Sequence, residues 1–258
     1  MAARLGRGAV VVAMAAAMLL GPGCSRQVGS PVPDGVPPPA GDPVPRIDPR
    51  IGVQAAGRPA DQLRAWAEQR APALDIPVPA LEAYAYAARA AEVQNPGCHL
   101  AWTTLAGIGM VESRHGNFRG AAIAPNGDVS PPIRGVELDG TRGNRAILDD
   151  VDPGDGPGEG QGDGPGGGNP VYARAMGPMQ FIPETWRLYG VDANNDGTAS
   201  PDNLDDAALA AAGYLCSRGG DLGTARGWTR ALWAYNQSNV YARSVRDWAT
   251  AYAAGHHL

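Results

Sequence analysis

Gly107-Ile108-Gly109-Met110-Val111-Glu112-Ser113-Arg114-His115-Gly116 sets a single acid into an otherwise apolar run of small residues with helical spacing. A carboxyl held among Leu105, Ile108, Met110 and Val111 loses hydration, which disfavours its ionised form and raises its pKa. A proton is then available near neutral pH, as a general acid requires. The alternative is an ordinary Glu on the solvent face of an amphipathic helix. This segment alone does not separate the two.

Outward from that run the spacing of apolar residues is helical almost everywhere. Leu63, Trp66, Ala67 and Arg70 mark a first helix from Ala60; Pro77 opens a second, with Leu81, Tyr84, Ala85 and Ala88 as its apolar stripe. Further helices are predicted over 101–115, 183–189, 204–216, 225–235 and 238–254. No segment shows sustained strand alternation, so the fold class is mainly α. Between 125 and 170 the chain is irregular, and 149–169 is dominated by Gly, Asp and Pro. Such a composition cannot bury apolar surface and reads as a solvated loop.

Three later segments follow the Glu112 run in a fixed order. They are Ala175-Met176-Gly177-Pro178-Met179-Gln180-Phe181-Ile182-Pro183, then Asp192-Ala193-Asn194-Asn195-Asp196-Gly197, then Ala234-Tyr235-Asn236-Gln237-Ser238 with Tyr241 and Ala242 beyond. Taken together, the four resemble the lytic murein transglycosylase B family, over roughly residues 100 to 252. The resemblance implies a lysozyme-like α domain carrying an EF-hand-like loop and, in this chain, a long Gly/Asp-rich insert. The activity it implies is cleavage of peptidoglycan between N-acetylmuramic acid and N-acetylglucosamine in wall remodelling or turnover, with Glu112 as the catalytic residue.

Most glycosidases place two carboxylates across the scissile bond. Here Asp128, Glu137 and Asp139 lie in irregular chain and Glu184 opens a helix, where an acid complements the dipole. A one-acid scheme fits better: Glu112 protonates the leaving oxygen, then as carboxylate takes the proton of the muramic C6 hydroxyl that attacks C1. The product is a 1,6-anhydro sugar. A hydrolytic muramidase of the same fold and a non-catalytic wall-binding module remain as alternatives.

Gln180 and Asn236 are the candidate sugar-positioning amides, because each both donates and accepts and acetamido groups offer both partners. Tyr214, Tyr235 and Tyr241 offer flat faces and hydroxyls, and Met179 and Phe181 are expected along the groove. For the aromatics, plain core packing is the competing reading. Arg114 is a candidate for a carboxylate of the peptide stem or the lactyl group, and His115 is either a second titrating group or a helix-end cap.

Asp192, Asn194 and Asp196, with Gly197 next, match the first half of an EF-hand loop. The twelfth position holds Asn203 in place of Glu. The resemblance implies a longer loop with Asp192, Asn194, Asp196, the Thr198 carbonyl and Asp206 as ligands of a structural Ca2+. A metal-free Asx-rich turn is the alternative.

The first 24 residues, with Arg4 and Arg7 before an apolar run over 9–20, read as an export signal. Gly23-Cys24 then reads as a lipoprotein cleavage site with Cys24 as the lipidated first mature residue; ordinary cleavage and release is the alternative. The expected destination is the cell envelope, as a membrane-anchored lipoprotein facing the wall, with secretion as the alternative. Residues 25–59 are a Pro/Gly-rich linker and 60–258 the catalytic domain. A free linker of thirty residues at about 3.1 Å per residue spans up to roughly 90 Å. Export permits disulfides, so Cys98 and Cys216 form either a bridge between the two halves of the domain or a pair of buried thiols. At 258 residues and a net charge of −5, with Arg as the only strong base, the chain argues against nucleic acid as a partner. Glycan strands, a membrane anchor and a monomeric state are the expectations.

Overall fold

A computed structural model of the chain describes residues 36–49, 57–141, 146–148 and 172–258. The export signal, Cys24, the rest of the linker and the Gly/Asp-rich stretch over 149–169 lie outside the described residues. Seven α-helices stand among those described. A 3₁₀ turn, Pro59–Leu63, leads into α1, Arg64–Leu74, and then α2, Val78–Gln94, and α3, Trp102–Ser113. Later come α4, Pro183–Tyr189, α5, Leu204–Gly219, α6, Ala225–Tyr235, and α7, Asn239–Ala253. The bounds follow the apolar spacing closely, and the last three helices are each capped by a side chain at the start. Asn203 accepts the N–H groups of Asp205 and Asp206, Thr224 that of Gly227, and Ser238 that of Tyr241.

Helix α2 is buried along nearly its whole length, and it packs on α5 in the centre of the domain. Both are rich in Ala: Ala83, Ala87, Ala90, Ala207, Ala208, Ala211 and Ala212 are all fully buried. Alanine combines the best helix propensity with the smallest side chain that still excludes water, so two such helices approach closely without strain. Glycine does the same for α3 against α7. A Cβ on Gly107 would stand 2.6 Å from the Val245 carbonyl oxygen. The cost of about 1 kcal/mol for a helix-interior glycine is offset by that contact.

Four short strands are new relative to the sequence reading. β1, Ala122–Ile123, pairs antiparallel with β2, Val129–Ser130; β3, Arg134–Glu137, pairs antiparallel with β4, Arg174–Met176. At two to four residues each they are too short to show alternation. They give order to part of the 125–170 stretch, where the sequence suggested only irregular chain.

Residues 36–49, within the linker, run extended over the domain. The Trp102 indole N–H donates to the Asp42 carbonyl at 3.0 Å, the Thr103 hydroxyl donates to the Pro39 carbonyl at 3.2 Å, and Val44 and Ile47 pack on the core. A proline-rich strap has few N–H donors but keeps its carbonyls, so donors on the domain hold it down. The 90 Å reach of a free linker therefore does not apply to this piece.

Arg58 completes the anchorage. Its guanidinium donates to both oxygens of Asp205 at 2.6 and 2.9 Å, to the Pro79 carbonyl at 2.8 Å, and to Glu82. Glu82 and Asp205 are fully buried, and burial pushes both carboxyls up while Arg58 pulls them down. Removing one partner of such a cluster leaves uncompensated buried charge, so Arg58→Met is expected to cost about 3 to 5 kcal/mol. Urea unfolding at neutral pH measures it; an unchanged midpoint would show that the cluster contributes nothing.

Cys98, in the turn before α3, is bonded to Cys216 in the last turn of α5, with Cα atoms 5.4 Å apart and a sequence separation of 118. The bridge joins the two halves of the domain.

Candidate active site

Helix α3 ends at Ser113, and the chain then takes two consecutive left-handed residues, Arg114 at φ 52° and His115 at φ 59°. The Arg114 and His115 N–H groups bond back to the carbonyls of Met110 and Gly109, which closes the helix end. His115 turns inward. Its Nδ1 lies 3.1 Å from the Tyr84 hydroxyl and its Nε2 2.9 Å from the Tyr252 hydroxyl, so one tyrosine donates to the ring and the other accepts from it. Gly109 makes this possible, since a Cβ there would stand 1.9 Å from the Tyr84 oxygen.

Burial pushes the His115 imidazole down to about 3. The ring is a neutral structural hub that also caps the helix, with no second titration near neutral pH. The folded state then binds this proton less readily than the unfolded state. Stability from this group is complete above pH 6.5 and is lost at about 1.4 kcal/mol per pH unit as pH falls toward 3. Melting temperatures between pH 7 and 4 should show that slope in the parent and a shallower one in His115→Gln; parallel curves would remove it.

Ser113 ties the helix end to the next motif. Its hydroxyl donates to the Pro178 carbonyl at 2.7 Å and accepts the Gly116 N–H at 2.9 Å. The same turn is held from α6, where the Tyr235 hydroxyl donates to the Met179 carbonyl at 2.7 Å. Gly177, at φ +69°, leaves no room for a side chain: a Cβ would lie 1.7 Å from the Pro201 carbonyl oxygen. Ser113 was not among the sequence candidates. The available signal was a small hydroxyl residue directly after the acid at a helix end.

Glu112 stands one residue before that clamp. The Tyr241 hydroxyl, 129 residues away in sequence, donates to its Oε1 at 2.7 Å. The carboxyl is closely surrounded by protein atoms, although the residue as a whole keeps part of its surface accessible. Desolvation raises its pKa to about 8, against the opposing pull of the Tyr241 hydrogen bond. No charged group among the described residues shares in that shift. Tyr241 occupies Oε1 alone, which leaves Oε2 to carry and deliver the proton.

The sequence candidates around it converge. Tyr241 stacks on Tyr235 with rings 6.4 Å apart and 8° from parallel; Tyr235 meets Tyr214 and Phe181 edge-on at 5.8 and 6.2 Å. Most of this cluster faces inward, however. Met179, Phe181 and Tyr235 are essentially fully buried, and the Tyr214 hydroxyl donates to the Ala234 carbonyl. They shape the wall behind Glu112, and the surface they offer to a ligand is small. The Gln180 amide, at φ 51°, donates to the Gly177 carbonyl at 2.8 Å and so braces its own turn. Asn236 is buried at the end of α6, beside the start of α7.

The Asp192 loop follows α4 in the chain. Asp192 accepts the N–H groups of Asp196 and Gly197, Asn194 that of Asp196, and Asp196 that of Thr198. Asp206, fully buried, accepts from Ala193, Asn194 and Ser200, and burial raises its pKa to about 7. The donor set is all oxygen, which suits a hard cation. Among the described residues, though, no three acidic, His or Cys side chains converge as a metal cage. Backbone N–H groups fix the position of these oxygens.

Residues 169–229, about a quarter of the chain, match the family model of the Transglycosylase SLT domain. That segment contains Met179, Gln180, Phe181, the Asp192 loop and Tyr214, while Glu112, Asn236 and Tyr241 lie outside it. The match and the helical architecture agree on a mainly α, lysozyme-like domain of the lytic transglycosylase type, directed at peptidoglycan. No curated protein and no solved structure matches the chain.

Proposed function

We propose that the protein is a peptidoglycan lytic transglycosylase of the murein transglycosylase B type, cleaving the β-1,4 bond from N-acetylmuramic acid to N-acetylglucosamine and forming the 1,6-anhydro end. The observation that carries the reading is Glu112, protonated near neutral pH by burial and bonded through one oxygen to Tyr241. The neutral carboxyl gives its proton from Oε2 to the departing O4 of N-acetylglucosamine as the C1–O4 bond breaks. The Tyr241 hydroxyl then stabilises the carboxylate, which takes the proton of the muramic C6 hydroxyl as O6 bonds to C1. Glu112 ends as it began, protonated, and no water enters. One residue thereby serves as acid and base in turn.

Gln180 and Asn236 remain the amides proposed for acetamido groups, at the two turns flanking the tyrosine stack. In the Asp192 loop, Ca2+ held by the Asp192, Asn194 and Asp196 side chains, the Thr198 carbonyl and Asp206 would have a structural part only. A calcium-dependent rise in melting temperature that chelation reverses tests it. Export through the N-terminal segment and lipidation at Cys24 would hold the enzyme against the wall. Labelling of the expressed protein with a fatty-acid analogue, lost in Cys24→Ala, tests that step.

Mass spectrometry of soluble products from purified sacculi tests the reaction. Anhydro-muropeptides support the reading. Products heavier by one water would mark a hydrolytic muramidase instead, and no soluble product would leave a binding module.

A further inference from the structure

A cavity of about 670 Å3 opens between the C-terminal ends of α1 and α3 and the first turn of α2. Its wall carries two exposed charges of opposite sign, Asp75 and Arg114, each the left-handed cap of its helix at φ 52°. Neither charge has a hydrogen-bond or ion-pair partner among the described residues, and they do not pair with each other. Asn117, exposed beside them, adds an amide; Ile76, Val78 and Met110 form an apolar floor.

Two features make this wall rigid. His115, next to Arg114, is locked between Tyr84 and Tyr252, and the Arg114 N–H is bonded to the Met110 carbonyl. Left-handed backbone at a residue other than glycine costs roughly 1 kcal/mol or more, and here it is spent to aim a guanidinium outward. An anion, a cation and an amide, held apart over an apolar floor, complement a short zwitterionic peptide with small side chains. Arg114 fits a carboxylate, Asp75 an ammonium group, and Asn117 a peptide bond.

We infer that this cavity is a subsite for the peptide stem of the glycan, recognising its free carboxylate through Arg114 and its free amine through Asp75. The inference rests on the proposed action on peptidoglycan. Met110 projects from the side of α3 away from Glu112, because two residues are about 200° of helix rotation. Glu112 lies in the last turn of α3, so a stem need only cross the helix end. A stem of four residues spans up to about 14 Å, against a helix diameter of about 10 Å.

The test uses the full chain and a free tetrapeptide stem, L-Ala-D-isoGlu-diaminopimelate-D-Ala, titrated by calorimetry. Arg114→Asn and Asp75→Asn are suited to it because Asn tolerates left-handed backbone. The parent is expected to bind saturably, and each variant at least tenfold more weakly. In turnover, Arg114→Asn is expected to lower kcat/KM by a larger factor on stem-bearing strands than on strands stripped of stems by an amidase. No binding by the parent, or equal binding by both variants, overturns the subsite. An equal loss on both kinds of strand also overturns it. If Glu112→Gln instead keeps full activity, the catalytic reading fails, and tetrapeptide binding still decides the cavity on its own.

Discussion

Glu112→Gln is expected to lower release of soluble wall fragments by about 10² to 10⁴-fold, the range typical of a lost general acid and base. The amide accepts the Tyr241 hydroxyl in place of Oε1, so the fold is kept while the transferable proton is gone. The same variant should gain stability. An acid whose folded pKa, about 8, is raised above its unfolded value keeps its proton in the native state. Its contribution is therefore complete below about pH 4.5 and declines by about 1.4 kcal/mol per pH unit as pH rises toward 8. Melting curves of parent and variant should coincide near pH 4 and separate by pH 8, the variant melting higher. A carboxyl kept out of water at a cost to the fold is the trade of stability for function that the proposed role of Glu112 entails. Parent activity should fall as pH rises through about 8, because the donor ionises. If Glu112→Gln digests sacculi at the parental rate, the acid has no part in the chemistry.

Opening the Cys98–Cys216 bridge carries the largest stability effect. In the chain-entropy model a closed loop of this length stabilises by about 4 to 5 kcal/mol. The double Cys→Ser variant should lose most of that in urea unfolding, and the reduced parent should match it. The bridge ties the turn before α3 to the end of α5, so the loss should reach the site by loosening the Glu112 helix against the Tyr214 helix. A double variant with an unchanged unfolding midpoint would show the crosslink to be energetically idle.

The helices were legible because each is a local property. Apolar spacing and the caps at Asn203, Thr224 and Ser238 lie within a few residues of what they control. The small-residue run around Glu112 made an acid out of water one of two readings, and only the packing around the helix end separated it from a solvent-facing position. Short strands such as β1 and β2 were not legible, since two residues carry no period. Nor was the docking of residues 36–49: proline content signals extension, and only the donors on Trp102 and Thr103 decide where the extended chain lies.

The roles of individual aromatic residues divide in the same way. Sequence order brought Met179, Phe181, Tyr214, Tyr235 and Tyr241 forward together, and they do cluster. Which of them faces a ligand depends on the far end of each hydroxyl. Tyr235 spends its hydroxyl on Met179, Tyr214 on Ala234, and Tyr241 on Glu112. His115 became a neutral hub only through Tyr84 and Tyr252, which arrive from α2 and α7.

Sequence by itself determined the helical architecture, the position of the acid within an apolar helix and the eligibility of two cysteines to pair, because each follows from neighbours along the chain or from a count. Tertiary structure alone decided how far the acid's pKa rises, which tyrosine holds it and where two unpaired charges face one cavity. Desolvation and hydrogen bonding depend on atoms brought together from more than a hundred residues away.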